Sequence, residues 1–343
     1  MTDYTPTQGV KDLLGDPKKS LIKLAIPMVI AMTLQTLYNL VDAFWVSLLG
    51  ANELAAVGFV FPFFILIMAL GAGIGVGATS AIARRIGAQD KKGADNVADH
   101  SIILSVIIAV IITIPLYLLA PYIFHALGAG DIVSPLATGY GQIIFLGIFF
   151  MLFNNLGTSI LRGEGDMKRA MYVLVISSII NIILDPIFIL PQFLDMGVSG
   201  AAIATVISLF FSCIPLYLWL IIKKDSFVTI DFSHFKFKRD ILIDIFRVGL
   251  PASASQLSMS FMMFLINGII VLIDTTNGVA IFSTGFRIAT LAIMPTLGLM
   301  TALVAVAGAT YGATQYSKTS TVHMYGVKLG LVWEIIVAVI IFL

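Results

Sequence analysis

The sequence predicts an all-α polytopic membrane protein, a two-lobe helical bundle in which a six-helix repeat is followed by part of a second. Three observations predict it. Of 343 residues, 59% are apolar and 11% charged, with a mean hydropathy of +1.02. Nine apolar runs are long enough to cross a bilayer, and the two halves of the chain repeat in one register. A soluble domain carries about 25% charged residues, so an ordinary globular enzyme, a secreted disulfide scaffold and a disordered chain are excluded. Twenty Lys and Arg against nineteen Asp and Glu leave a formal charge of +1, which gives no electrostatic reason to expect a nucleic-acid partner. The one cysteine, Cys213, lies in an apolar stretch and has no internal disulfide partner.

A helix needs about 20 mostly apolar residues to cross the hydrocarbon core. Runs of that length lie near 21–49, 54–83, 100–121, 135–160, 170–191, 199–222, 246–273, 279–311 and 322–343. The first run is too long for the apolar region of a signal peptide, so no cleaved leader is expected. Lys and Arg mark cytoplasmic loops. They occur before span 1 (Lys18, Lys19, Lys23), between spans 2 and 3 (Arg84, Arg85, Lys91, Lys92), between 4 and 5 (Arg162, Lys168, Arg169) and between 6 and 7 (Lys223, Lys224, Lys236, Lys238, Arg239). The loops between 1 and 2, 3 and 4, 5 and 6, and 7 and 8 carry none. The amino terminus is therefore expected in the cytoplasm, with the chain a multi-pass protein of the cell membrane.

Residues 223–245 form the longest polar segment and read as a surface-lying cytoplasmic linker between an amino-terminal six-helix lobe, 1–222, and a partial carboxy-terminal lobe, 246–343. Phe232, Phe235 and Phe237 alternate there with polar residues as a strand would. The repeat has an offset of 225: Ala55 matches Ala280, Gly73 matches Gly298, Gly87 matches Gly312 and Ala88 matches Ala313, with Pro27 and Pro251 matching at 224. Two parallel repeats in one membrane orientation are the layout of many secondary transporters. By that register the second repeat stops after three of its six helices, so roughly 105 residues equivalent to spans 4 to 6 are expected to be missing, and the chain given is not expected to transport.

Most acidic residues sit in loops. Asp42 in span 1, Asp185 in span 5 and Glu334 in span 9 do not. A carboxylate at bilayer depth is costly unless it faces protein or water and finds a partner. Spans 1 and 5 both run outward and hold Asp42 and Asp185 about seven and six residues from their outer ends, roughly 10 Å at 1.5 Å per residue. Thr205 in span 6 reaches the same layer, while Asn181 and Tyr38 stand one turn below the two acids. Oxygen ligands suit a hard cation, and close carboxylates retain a proton, so the group reads as a site for Na+ or H+. The alternative is that the acids only bond to neighbouring helices.

Pro27 and Pro186 fall inside spans 1 and 5, where proline frees a carbonyl and bends the helix. Pro186 follows Asp185 directly, so bend and charge coincide. Gly71, Gly73, Gly75 and Gly77 in GAGIGVG have no preceding strand and no Lys-Ser or Lys-Thr, and their four-residue spacing is that of close helix packing. The histidines are scattered, no metal-ligand spacing or nucleophilic triad is present, and no enzyme, cofactor or metal beyond Na+ is expected. In the second lobe Arg287 is a basic residue well inside span 8, suited either to snorkelling or to a substrate. Glu334 is held as a second-lobe candidate whose first-half match is Ala109.

The segment IPMVIAMTLQTLYNLVDAFWVSLLG, the loop RRIGAQDKKGA with its echo YGATQYSKT, RGEGD at 162–166, NIILDPIFI at 181–189, GAAIAT at 200–205 and VGLPAS at 248–253 resemble the multidrug and toxic compound extrusion (MATE) family. The likeness covers essentially the whole chain and is greatest to the archaeal and DinF-like branch. It implies a twelve-helix, two-lobe antiporter that exports organic cations and other amphipathic compounds against an inward flow of Na+ or H+. By motif its cation-binding acids fall on Asp42 and Asp185, with Asn181, Thr205 and Tyr38 around them. Asn267 stands where another branch has a glutamate. Such a protein is expected to act as a monomer with the lipid bilayer and small substrates as partners. A lipid-linked oligosaccharide flippase of the same superfamily and a non-transporting sensor or assembly protein on the same fold are the alternatives.

Overall fold

The computed structural model describes the backbone of residues 6–342 except 224, 233 and 234; the side chains of 264, 267, 268, 271–281, 283, 284, 286–288, 291, 341 and 342 lie outside the described set. Among the described residues all regular structure is helical: α1 (Gln8–Leu13), α2 (Pro17–Ser47), α3 (Ala51–Gly87), α4 (Lys91–Ala126), α5 (Gly130–Gly163), α6 (Met167–Ile189), α7 (Gly197–Tyr217, running into a π-helical turn at Leu218–Lys223), α8 (Arg239–Gly312) and α9 (Tyr316–Phe342). Lipid offers the backbone no hydrogen-bond partner, so spanning segments must satisfy their own. Eight described helices are long and apolar enough to span. Carboxylates start three of them: Asp16, Asp90 and Asp166 accept from the N–H groups of Lys19, Gly93 and Arg169 at 3.0, 2.9 and 3.1 Å, using the free donors and the positive end of each helix.

Spans 1 to 6 correspond to α2–α7 and span 9 to α9. Spans 7 and 8, expected as separate helices, are joined in one helical element of 74 residues. Straight, it would be about 110 Å long, several times the hydrocarbon thickness. Its ends, however, meet the same half of α3, Ile245 at Gly77 and Ala309 at Gly87. The element therefore doubles back, as two spans require.

The repeat is geometric as well as sequential. Gln89 and Thr314, 225 positions apart, are both non-glycine residues at positive φ, 59° and 58°, and α4 and α9 start two residues after each. Gly87 abuts the carbonyl of Ala309 while Gly312 abuts that of Arg84, and Gly73 abuts Ser253 while Gly298 abuts Met28 and Val29. Each contact is the other's counterpart under the same offset, the signature of a pseudo-two-fold axis between lobes. The four glycines of GAGIGVG divide between two faces. Gly71 and Gly75 admit Leu152, Asn155 and Ser159 of α5, and Gly73 and Gly77 admit the backbone of α8. Around these contacts the lobes share one apolar core that includes Met28, Ile82, Ile160, Ala305 and Val306. Asp244 of α8 also pairs there with Arg85 at 2.9 Å and Arg84 at 3.8 Å of α3.

The linker differs from expectation. It is shorter, because α8 begins at Arg239, and it is not merely laid on the surface: Ser226, Val228 and Ile230 are buried. Its N–H groups at Val228, Thr229, Asp231 and Lys238 donate to Glu164 Oε2 (2.8 Å), Asp95 Oδ1 (2.9 Å), Asp99 Oδ1 (3.1 Å) and His100 Nε2 (2.9 Å). The segment is extended, but side-chain acceptors on α4 and beside α5 replace a neighbouring strand, satisfying backbone donors that burial would otherwise strand. Glu164 is 1% exposed. Burial, aided by Asp166, pushes its carboxyl up to about 8 against the Val228 N–H and Arg169, which act the other way.

Two outcomes follow from this packing. Gly77→Leu places a side chain against the Ile245 carbonyl and should cost about 1–3 kcal/mol or more, as overpacking does. Gly58→Ala, with open space around it, should be neutral; thermal unfolding in detergent compares them. Because the folded carboxyl of Glu164 titrates above its unfolded value, the stability it contributes is present at low pH and is lost as pH rises toward and through about 8. Hydrogen exchange at Val228 and Thr229 should therefore quicken, beyond its intrinsic pH dependence, across that range, and Glu164→Gln should remove the excess.

Candidate cation site

Three helices of the first lobe bring their polar residues to one layer. α2 supplies Tyr38 and Asp42, α6 supplies Asn181 and Asp185, and α7 supplies Thr205. Asn181 Nδ2 donates to Thr205 Oγ1 at 3.4 Å. Asp185 is 0% exposed and Asn181 1%. The Asp42 carboxyl and the Asn181 amide lie against Asp185, yet neither makes a well-formed bond to it: both Asp185 oxygens and the Asn181 carbonyl oxygen lack a hydrogen-bond partner. A buried carboxylate with unused lone pairs is costly. The arrangement has acceptor capacity left for a positively charged guest or a proton.

All five residues chosen from the sequence are thus in one group. The sequence reading missed Tyr140 of α5, which faces both Asp42 and Asp185. The same depth argument reaches it, since span 4 runs inward from 135 and puts Tyr140 near the layer of the acids. Pro27 and Pro186 lie within α2 and α6, which stay helical through them. Glu334 is elsewhere: it accepts from Thr296 Oγ1 of α8 at 2.6 Å. Arg287 and Asn267 have side chains outside the described residues.

The two sides of the layer differ. One turn outward lie Val46, Ile189 and Ala201, buried together and packed by Trp45, Leu49, Val57 and Tyr140. Inward, polar groups continue. Ser208 donates to the Thr205 carbonyl at 2.7 Å, Asn154 bonds Ser212, Thr158 donates to the Asn154 carbonyl at 2.8 Å, and Arg162 donates to Thr158 Oγ1 at 3.3 Å and to Ser159. The series steps from the acids toward the turn at Gly163–Asp166. α5 carries most of it, wedged between α3 and α7.

Membrane-spanning helices in two repeats about a pseudo-two-fold axis, with the Asp185 carboxylate buried at membrane depth, define the class: a multi-pass membrane transporter. The MatE family model matches residues 27–187 and 251–343, and the chain belongs to that family, whose members are transporters and not enzymes. It is 28% identical over 351 residues to the probable multidrug resistance protein NorM of Thermotoga maritima, covering 99% of this chain and 72% of that protein. To the probable multidrug resistance protein YoeA of Bacillus subtilis it is 26% identical over 319 residues, covering 92% and 69%. The multidrug export protein MepA of Staphylococcus saprophyticus is matched over 51% of its length at 28% identity, 68% of this chain.

Among solved structures, an outward-facing multidrug resistance MATE family transporter of the MOP superfamily superimposes with a TM-score of 0.96 at 48% identity, over 98% of this chain and 74% of that one. A MOP superfamily transporter from Pyrococcus furiosus Vc1 does so with a TM-score of 0.93 at 48% identity, over 97% and 74%. The chain spans about half to three quarters of the length of these relatives.

Trp45 lies one turn from Asp42 and packs in the apolar group above the acids, so its emission should report the site. With Trp219 and Trp333 replaced by Phe, Na+ or acid should shift Trp45 fluorescence. Asp185→Asn should abolish the response, and Tyr140→Phe should weaken the ion's apparent affinity about tenfold, the effect of losing one hydrogen-bonding group to a charge.

Proposed function

We propose that this protein is a secondary active exporter that expels organic cations and other amphipathic compounds across the cell membrane in exchange for inward-moving Na+ or H+. The observation that carries the reading is Asp185, fully buried with both oxygens unpartnered and the Asp42 carboxyl beside it. Two adjacent carboxylates repel unless a cation or a proton joins them. With the Asn181 carbonyl oxygen, the Thr205 hydroxyl and the Tyr38 and Tyr140 phenols around them, they offer the oxygen set of a hard ion. The apolar group outside and the polar series inside support ion exit toward the cytoplasm. The multidrug resistance and export names of the relatives support the class of cargo.

Alternating access joins ion and cargo. The lobes, 1–222 and 246–343 with 223–245 between them, meet along the glycine-lined contact of α3 with α8 on the cytoplasmic side, which leaves the outer side for cargo release. Ion binding at Asp42 and Asp185 adjusts the bends at Pro27 and Pro186 and so the face that the first lobe offers to cargo. Such coupling requires that cargo-bound and ion-bound states differ in free energy. Glu334, Arg287 and Asn267 are the second lobe's candidates for contact with cargo or ion. The amino terminus is cytoplasmic, and the transporter acts as a monomer.

In inside-out vesicles holding the protein extended to two complete six-helix lobes and energised by a Na+ or a proton gradient, uptake of a fluorescent organic cation should depend on the gradient. Asp42→Asn and Asp185→Asn should each reduce it at least about tenfold while the protein stays inserted, the scale of losing one charge-assisted interaction of about 1.5–3 kcal/mol. Wild-type rates in both variants across a range of pH and Na+ would mean that the pair is structural.

A further inference from the structure

The linker places an unusual surface at one depth. Lys238 donates its N–H to His100 Nε2 at 2.9 Å, and the Phe235 and Phe237 rings lie 4.7 and 5.9 Å from the His100 ring. His100 is the first residue of the apolar run 100–121, so the end of the linker sits where α4 passes from cytoplasm into hydrocarbon. Ile107 and Ile111, two and three turns along the same helical face as His100, are exposed, so this face of α4 is turned to lipid. Phe235 is half-buried against His100, whereas Phe232 is 47% and Phe237 68% exposed. Among them Lys236, Lys238 and Arg239 are exposed, and Arg247 follows two turns along α8.

The acids nearby do not cancel these cations. Asp99 is buried and accepts from the Asp231 N–H, and Asp244 is paired with Arg84 and Arg85. Asp231 and Asp240 remain at the surface.

From this we propose that Phe232 and residues 235–239 form an aromatic and basic foot that rests in the headgroup layer of the inner leaflet and selects anionic phospholipid. Aromatic rings favour the membrane–water boundary, where Phe232 and Phe237 are withdrawn from water while the long side chains of Lys236, Lys238 and Arg239 reach phosphate. Basic residues at the surface of an anionic leaflet are attracted within a Debye length. Charge sign favours lipid over a second copy of the chain, which would bring the same cations face to face. Because the foot is tied through Lys238 to α4 and through Arg239 to α8, the leaflet would hold the junction between lobes. The inference needs the linker to be cytoplasmic but not any particular coupling ion or cargo.

The test uses the chain with Cys213→Ser and Phe237→Cys, the new thiol carrying a bimane, in phosphatidylcholine bilayers holding brominated phosphatidylcholine or, at equal mole fraction, brominated phosphatidylglycerol. Both lipids should quench the label, the anionic one at least about twofold more strongly, within the roughly fivefold that one basic residue's attraction permits. Replacing Lys236, Lys238 and Arg239 together by Gln, or raising salt to about 1 M, should bring the ratio to about one while quenching persists. A label at Phe232→Cys should behave alike. No quenching by either lipid would put the foot in water or against protein and overturn the proposal. Equal quenching with all charges present would overturn its anionic selectivity. Disulfide cross-linking of unlabelled Phe237→Cys between chains, together with lost quenching, would assign the surface to a second copy.

Discussion

Backbone lies against backbone where α3 meets α8, and the rest of the molecule is arranged around that contact. Helices in lipid gain little from hiding apolar side chains from one another, since the tails are equally apolar; they associate where small residues let them approach closely enough for dispersion and polar contact. Gly73, Gly77 and Gly87 provide that approach from α3 and Gly312 from α8, while Gly298 of α8 meets Met28 and Val29 of α2. The contact is made twice under a single offset, so each lobe supplies both knob and groove. The same seam closes the end of the bundle where Asp244 bridges to Arg84 and Arg85.

That seam also explains why a fully buried carboxylate is tolerated on the far side of the first lobe. α3 gives its other glycine face to α5, and α5 so held presents Asn154, Thr158 and Tyr140 toward α6 and α7. Asp185 is then buried among hydroxyls, an amide and a second carboxyl rather than among methyl groups, and its cost is borne by a polar neighbourhood with room for a cation. Outside it, Val46, Ile189 and Ala201 exclude water. The polarity gradient across the site comes from four helices at once and belongs to none of them.

The linker joins the lobes by a different device. Segments between membrane helices usually leave their backbone to water, but here Glu164, Asp95, Asp99 and His100 take the N–H groups of a nearly strand-like stretch. The Phe alternation at 232, 235 and 237 reflects that extended backbone, with one ring turned toward His100 and two outward. The order of the linker is thus inherited from α4 and the end of α5.

From residue order alone came the spans, the repeat, the role of GAGIGVG and the common layer of Asp42, Asp185, Asn181 and Thr205. Each follows from a one-dimensional rule: the bilayer sets a length, a helix advances a fixed rise per residue, and a direction of travel converts position into depth. Depth is only one coordinate. Which way a side chain points around its helix, and which neighbour it meets, depends on how helices pack, so Tyr140 escaped notice and Glu334, equally conspicuous in the sequence, is found with Thr296 instead of the acid pair. The two faces of the glycine run, the docking of the linker and the joining of spans 7 and 8 in one helical element were likewise decided in three dimensions, because each depends on partners 60 or more residues away that no local pattern names.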